Sequence, residues 1–363
     1  MSTTLIQQLE DYLAATLLSP EGAAQHLTGK VSKHELAPFL GHISAISASY
    51  ISHTVGSKLA SPITGAQAAE AYALYYSVIN AAKLLHLIPS LSFEKEEISV
   101  LDLGSGPGTA GLALLTALKK SIHLTCVEDS PHMRKVAERL LSRYRSAGVL
   151  SKLSIIPSLS SRSTDRYDLV IAANVVAELD SVEGERAFRS LTERTAPGGY
   201  LVVIEPGQQQ HTRRLMHLRD TLLSKDTEFA PLFPCLRRDS CPMLRLSETD
   251  WCHGVIEWQQ PRLNAHLDDL LSFNKHRIKY SGFIFQRGGV TPPGIRVLTP
   301  PEKTRIGIET LVCGEDTFGV VRIRKGARSE KNRALEKASV FDHLLVSQPL
   351  QGDDAEEVSF SKP

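Results

Sequence analysis

The chain has 363 residues, 42% of them hydrophobic and 22% charged, with a formal net charge of +1. That length suits one main domain with additions, and the near-neutral balance excludes a uniformly acidic or basic protein, so any basic surface must be local. The N-terminus has no basic region ahead of an apolar run, no window of about eighteen uninterrupted apolar residues occurs, and Glu10 and Asp11 come too early for an acid-poor transit peptide; a bacterial cytoplasmic monomer with no membrane association is expected.

Residues 1–95 read as a helical N-terminal region. Apolar positions recur at helical spacing in Leu5, Leu9, Tyr12 and Leu13, and again from Ala66 to Leu87. The last of these helices is apolar almost all round, the pattern of a packing helix buried against the next domain. From Ile98, short apolar runs alternate with amphipathic helices, the signature of a parallel sheet covered on both faces. Strands are expected at 99–103, 123–127, 152–156, 167–172 and 200–204. Pro131 stands at the first position of a helix after Ser130, and Gly198-Gly199 is read as the end of the helix before the fifth strand. The fold class is therefore α/β, a Rossmann-like domain over 96–225 with a helical extension.

Beyond Glu205 the alternation fades. A helix around Arg213 to Ser224 precedes a cysteine-rich region, 226–290, which ends in the basic stretch Lys275 to Lys279. A small β element, 291–347, is expected from two strand-like runs, 305–312 and 318–324, separated by Cys313-Gly-Glu-Asp. The polar, acidic tail 348–363 reads as disordered.

The run Val100-Leu-Asp-Leu-Gly-Ser-Gly-Pro-Gly-Thr109 is a strand entering a glycine-rich turn that opens a helix. Gly104, Gly106 and Gly108, with Ser105 between them, remove bulk where a cofactor must approach backbone, and the helix start supplies free amides. Glu128 ends the next strand about twenty positions on, placed to accept hydrogen bonds from two ribose hydroxyls. This layout serves a dinucleotide or S-adenosylmethionine. Asp102, just before the turn, would repel a pyrophosphate and suits the ammonium of a methionine moiety, so S-adenosylmethionine is the expected cofactor.

Over 98 to about 207 the chain resembles the class I methyltransferase superfamily, including the segment Pro197-Gly-Gly-Tyr-Leu-Val-Val-Ile-Glu-Pro206. That resemblance implies that Asn174 and Glu178, after the fourth strand, face cofactor and substrate. It assigns no catalytic residue. No Asn-Pro-Pro-aromatic run comes after the fourth strand, and no cysteine stands there to attack a pyrimidine ring.

Cys235, Cys241 and Cys252 crowd into eighteen residues and Cys313 comes later, whereas Cys126 stands apart in a strand. In a cytosolic chain this argues for a metal site, because four thiolates satisfy either tetrahedral zinc or an iron–sulfur cluster. The uneven spacing, without pairs two to four residues apart, leans toward a cluster. The whole chain resembles the methyltransferase-like ribosome assembly factors of the mitochondrial small subunit and their bacterial relatives. The resemblance is carried by Ala71-Tyr-Ala-Leu-Tyr-Tyr76 with Asn80, the glycine turn, Cys241-Pro242 with Trp251-Cys252-His253, and Lys279-Tyr-Ser-Gly-Phe283 with Gln286-Arg287. It implies a [4Fe-4S] cluster on Cys235, Cys241, Cys252 and Cys313, and binding to small-subunit ribosomal RNA.

Basic residues concentrate locally, as phosphate contacts would require. Arg213 and Arg214 share a helix, Arg237 and Arg238 lie in the cysteine loop, Lys275, Arg277 and Lys279 come next, and Arg322, Arg324 and Lys325 close the β element, the two arginines on one strand face. Three functions are compatible with this pattern. The leading one is an S-adenosylmethionine-binding protein acting on small-subunit ribosomal RNA, and the second a non-catalytic RNA-binding assembly factor. A small-molecule methyltransferase is the third.

Overall fold

In the computed structural model, residues 3–52, 61–145, 148–160, 163–348, 350 and 359–362 are described. The chain opens with α1 (Thr3–Leu17), α2 (Pro20–Thr28), α3 (Lys33–Ser52) and α4 (Ala66–Leu87). An alternating stretch comes next: β1 (Glu97–Leu103), α5 (Thr109–Ala117), β2 (Ser121–Val127), α6 (Pro131–Arg145), β3 (Leu150–Ile156), β4 (Tyr167–Ala173), α7 (Ser181–Arg194) and β5 (Thr195–Pro206). It leads into α8 (Gln209–Lys225), β6 (Phe229–Phe233), α9 (Pro242–Leu246), β7 (Gly254–Glu257), α10 (Arg262–Leu271) and β8 (Arg277–Arg287). The chain closes with β9 (Ile295–Val297), β10 (Glu302–Lys303), β11 (Gly307–Gly314), β12 (Phe318–Arg324), α11 (Arg333–Glu336), β13 (His343–Val346) and β14 (Phe360–Ser361). These elements fall into two compact units, Met1–Glu205 with Ile256–Ile278, and Pro206–Val255 with Lys279–Pro363.

In the first unit the strands pair in parallel in the order β3-β2-β1-β4-β5, a Rossmann-like sheet. Their apolar runs are buried because helices cover a parallel sheet on both faces. Adjacent strands β1 and β4 belong to oppositely running halves of the order, so their carboxyl ends form the crevice where such sheets bind ligands. Cys126 is fully buried in β2, as expected for a core thiol.

Two features of this unit depart from the sequence-based expectation. The glycine pair does not end α7, which stops at Arg194; Gly198 and Gly199 lie inside β5. A Cβ on Gly199 would meet the carbonyl oxygens of Ala196, Tyr167 and Asp168 at 2.9–3.0 Å, so these residues allow backbone to approach backbone at the register shift between β4 and β5. Second, Ile256–Ile278 does not stay with the cysteine-rich stretch and returns to the first unit. The reason is long-range: Glu10 of α1 accepts the N–H of Leu263 at 2.9 Å and of Asn264 at 2.7 Å, satisfying the open amides of α10. The Tyr75 hydroxyl of α4 donates to Asp268 of the same helix.

In the second unit β6 and β8 pair antiparallel, and β11 and β12 form a hairpin extended by β10 and by β9, β13 and β14. Alternation along β9, β11 and β12 sends Ile295, Val297, Ile308, Val312, Val321 and Ile323 into one core with Leu344 and Phe360. Cys313 is in β11, opposite Phe318, and not in the intervening turn. Phe360–Ser361 pairs with β13, which corrects the expectation of a wholly disordered tail; residues 351–358 of that tail lie outside the described residues. Among the described residues, no helix is long and apolar enough to cross a membrane.

Candidate functional site

The first candidate site is the turn after β1. Gly104, Gly106 and Gly108 all have positive φ, at 65°, 54° and 83°. They are not equivalent: a Cβ on Gly104 would clash with Val175 Cγ2 at 2.4 Å, whereas one on Gly106 would meet nothing nearer than Tyr72 Cε1 at 4.0 Å. Gly104 is thus a packing requirement, and Gly106 faces open space. The Ser105 N–H donates to the Val127 carbonyl at 3.1 Å, tying the turn to the end of β2.

There Glu128 accepts the N–H of Gly106 and of Ser130, each at 2.9 Å. A carboxylate has about four acceptor sites, so two remain for hydroxyl donors. Burial raises the Glu128 pKa against these bonds. Asp102 is 2% exposed, and its Oδ2 has no hydrogen-bond partner. Burial, reinforced by the charge of Glu128, pushes its carboxyl up to about 8. A buried carboxylate oxygen with nothing to accept is costly unless a cationic or donor ligand completes it.

The helix expected only to pack supplies the rest of this site. On α4, Tyr72, Tyr76, Asn80 and Lys83 have the i, i+4, i+8, i+11 spacing of one helical stripe. Asn80 Nδ2 donates to the Tyr72 hydroxyl at 3.1 Å, and Lys83 Nζ donates to Asn80 Oδ1 at 2.9 Å and to Asn174 Oδ1 at 3.3 Å. Lys83 is buried, and desolvation lowers its pKa to about 8 against the opposing pull of Glu205. Asn174, expected from the fourth strand, has φ 60° just after β4 and is adjacent to the Val175 that packs on Gly104. Glu178 comes soon after, half-buried, hydrogen-bonded by the Tyr50 hydroxyl and pushed up to about 7 by desolvation with Glu128 nearby. The interrupting polar stripe in an otherwise apolar helix was the available signal for Tyr72, Asn80 and Lys83.

The second site lies wholly in the second unit. Cys235, Cys241, Cys252 and Cys313 line one pocket, together with Met216, Arg219 and Arg237. They come from the loop after β6, the start of α9, the segment before β7, and β11. Burial first, then the other thiols of the set, raises the pKa of Cys252 well above the ordinary thiol value, of Cys241 to about 11 and of Cys313 to about 12. Among the described residues, no three of these sulfurs lie within 4.8 Å of one another. His253 does not join them; its ring stacks on Trp251 at 5.0 Å.

Three arginines hold the loops that carry the cysteines. Arg219, 1% exposed, donates to the carbonyls of Arg237 and Asp239 and pairs with Asp220 at 2.6 Å, and Asp220 in turn accepts the Cys241 N–H at 3.0 Å. Arg296 donates to the carbonyls of Pro234 and Phe341, each at 2.9 Å, and of Leu232 at 3.0 Å. Arg237 donates to the Gly314 carbonyl at 3.3 Å, beside Cys313, and pairs with Asp239.

The basic residues singled out in the sequence are not all alike. Arg213 donates to the carbonyls of Ser247 and Asp250 at 2.9 and 2.7 Å, and Arg238 to those of Phe229 and Asp226. Arg277 pairs with Glu257 at 3.3 Å and Arg322 with Glu309 at 2.5 Å. Arg214 is half-buried on α8, and Lys275 is half-buried before β8. Lys279, Arg324 and Lys325 are exposed, Arg322 and Arg324 alternating outward from the buried Val321 and Ile323 of β12.

Comparison with known proteins gives matches over part of the chain. A highly reducing polyketide synthase of Penicillium polonicum is 28% identical over 126 residues, 34% of this chain and 5% of that protein. The polyketide synthase component of the lovastatin nonaketide synthase of Aspergillus terreus is 26% identical over 147 residues, 38% of this chain and 5% of that protein. The chain thus spans about 5% of the length of the curated relatives it matches. Among solved structures, the magnesium protoporphyrin IX methyltransferase of Synechocystis matches with TM-score 0.37 and 12% identity, over 57% of this chain and 81% of that one. The ribosomal protein L11 methylase of Lactobacillus delbrueckii matches with TM-score 0.34 and 14% identity, over 58% and 79%. A family model described as mitochondrial small ribosomal subunit Rsm22 matches residues 64–331, a span that holds the glycine turn, the polar stripe of α4 and all four clustered cysteines. The chain belongs to the Rsm22 family of the mitochondrial small ribosomal subunit.

Proposed function

We propose that the protein binds S-adenosylmethionine at the β1 turn, carries a metal centre on Cys235, Cys241, Cys252 and Cys313, and acts on small-subunit ribosomal RNA during ribosome assembly or translation. The observation that carries the cofactor reading is the unpartnered, buried Oδ2 of Asp102 beside the open face of Gly106. A dinucleotide would bring a pyrophosphate to a site already rich in carboxylates, whereas S-adenosylmethionine brings an ammonium and a sulfonium. Asp102 would receive the ammonium and Glu128 the ribose hydroxyls.

The metal reading is supported by four thiols from four separate segments meeting in one pocket. Their wide, uneven spacing along the chain, without pairs two to four residues apart, favours a cluster over zinc. The centre would link segments that are distant in sequence and fix the loop bearing Arg237 and Arg238.

A non-catalytic reading is favoured by one observation. Asn174 stands where a catalytic group is expected, yet its carboxamide oxygen is held by Lys83, and none of the base-methylating motifs comes after β4. The fold would then serve as a ligand-sensing scaffold. The compartment required is any that holds small ribosomal subunits, the bacterial cytoplasm expected from the sequence or the mitochondrion of the family's description.

The test is to purify the protein without oxygen, record its absorption spectrum with iron, sulfide and zinc analysis, and incubate it with labelled S-adenosylmethionine and immature small subunits. Iron and sulfide with label in the RNA support the catalytic form, and iron and sulfide with RNA binding but no label support the scaffold form. A metal-free protein that binds neither cofactor nor RNA would sink the proposal.

A further inference from the structure

We infer that Lys83 of α4 is the anion-binding residue of the cofactor pocket and takes the carboxylate of the ligand's amino-acid end, opposite Asp102, which takes its ammonium. The inference rests on the S-adenosylmethionine reading of that pocket.

A buried cation is the starting point. Lys83 is 6% exposed, its Nζ bonds only the neutral carboxamide oxygens of Asn80 and Asn174, and among the described residues no carboxylate lies within ion-pair distance. Glu205, whose charge Lys83 feels, accepts the Val176 N–H at 2.9 Å instead. An ammonium has three donors, so one N–H is left over. Taking a charge out of water without a counter-ion is costly, and a fold keeps such a group where an anion arrives to complete it.

The position of that third donor is set by its partners. Asn174 leads directly into Val175, whose side chain rests on Gly104, the first residue of the glycine turn. Asn80 bridges Lys83 to Tyr72, whose ring edge is the nearest atom to the open face of Gly106. The Ser77 and Thr109 hydroxyls, 2.9 Å apart, fix α4 to the start of the helix that the turn opens. Lys83 is therefore tied by one hydrogen-bonded chain to both lips of the β1/β4 crevice. The other charged groups near the turn, Asp102, Glu128 and Glu178, are acids, and Arg134 is committed to the carbonyls of Glu128 and Asp129 at 2.7 and 2.6 Å. Lys83 also feels the charge of Lys275; a buried cation bonded only to carboxamides and a buried carboxylate oxygen without a partner match an α-amino acid group, and no other part of an adenosyl ligand carries both charges.

Two probes separate this from a structural role. S-adenosylhomocysteine carries the amino-acid end; 5′-methylthioadenosine has the same adenosyl thioether without it. Titration calorimetry of the full-length protein should show Lys83→Met weakening S-adenosylhomocysteine by about 10- to 100-fold, the range of one lost charged hydrogen bond, with 5′-methylthioadenosine unchanged. Lys83→Arg, which keeps the charge, should recover part of the loss. If Lys83→Met weakens both ligands equally, Lys83 only supports the fold and the inference falls. Unchanged affinity for both overturns it as well. Should the unaltered protein bind neither probe, the cofactor reading itself fails and takes this inference with it, an outcome visible before any variant is made.

Discussion

Replacing Asp102 with Asn should make the protein more stable and less able to bind its ligand. The carboxyl is displaced from 3.8 to about 8 by burial. Below the lower value, folded and unfolded chains both hold the proton and the group costs nothing. As pH rises from about 4 to about 8 the unfolded chain ionises freely while the folded one cannot, so the penalty grows, and it is complete above 8. At 1.36 kcal/mol per pH unit the penalty is on the order of 4 kcal/mol at pH 7 and about 2 kcal/mol at pH 5. Asn removes the charge but leaves a buried amide to satisfy, which returns about 1–3 kcal/mol. Urea unfolding of both proteins at the two pH values should therefore show Asp102→Asn gaining about 3 kcal/mol relative to the parent between pH 5 and pH 7. Calorimetry should show S-adenosylhomocysteine binding reduced in the variant, and in the parent rising with pH toward 8 with release of a proton. A stability difference that is the same at pH 5 and pH 7 would refute the claim that this carboxylate is held unpaired.

Other perturbations test the same geometry. Cys252→Ser should remove most of the iron or zinc measured by elemental analysis and lower the melting temperature; a full metal complement in the variant would exclude the shared site. Arg296→Met strands the carbonyls of Leu232, Pro234 and Phe341 and should destabilise the protein by about 2–4 kcal/mol in urea, with faster metal loss to a chelator. Gly106→Arg adds a side chain where space is open but φ is 54°; it should abolish adenosyl-ligand binding at a folding cost of only about 1 kcal/mol, and undiminished binding would move the pocket elsewhere. Lys279→Glu and Lys325→Glu should each weaken small-subunit RNA binding and reduce the log–log salt slope by about 1, measured by filter binding across a salt series.

Much of the nucleotide-type unit was legible because its signals are local. Five apolar runs, a glycine turn and an acid ending the second strand are each read within a few residues, and their strands are where the periodicity put them. The cysteines were legible as scarce residues in an unusual crowd. The features that stayed hidden were set by distant partners. Lys83 was lost inside a helix whose apolar pattern is nearly continuous, because its role depends on Asn174, 91 positions away. The return of Ile256–Ile278 to the first unit depends on Glu10, about 250 positions earlier. Gly198 and Gly199 come closely enough after a helix to pass for its terminator; only the three carbonyls crowding Gly199 identify the pair as a strand irregularity. Phe360 was masked by the polar composition of its neighbours, although one aromatic residue suffices to dock a two-residue strand on β13.

The division of the four cysteines along the chain constrains how the protein can be made. Three are close together, but Cys313 is 61 positions after Cys252, and the intervening Ile256–Ile278 belongs to the other unit. At roughly 5–20 residues per second of synthesis, the first three thiols emerge about 3–12 s before the fourth. During that interval they form an incomplete, reactive set that can capture stray metal or oxidise. The proposed centre on all four cysteines could therefore be completed only once β11, which carries Cys313, has emerged and folded.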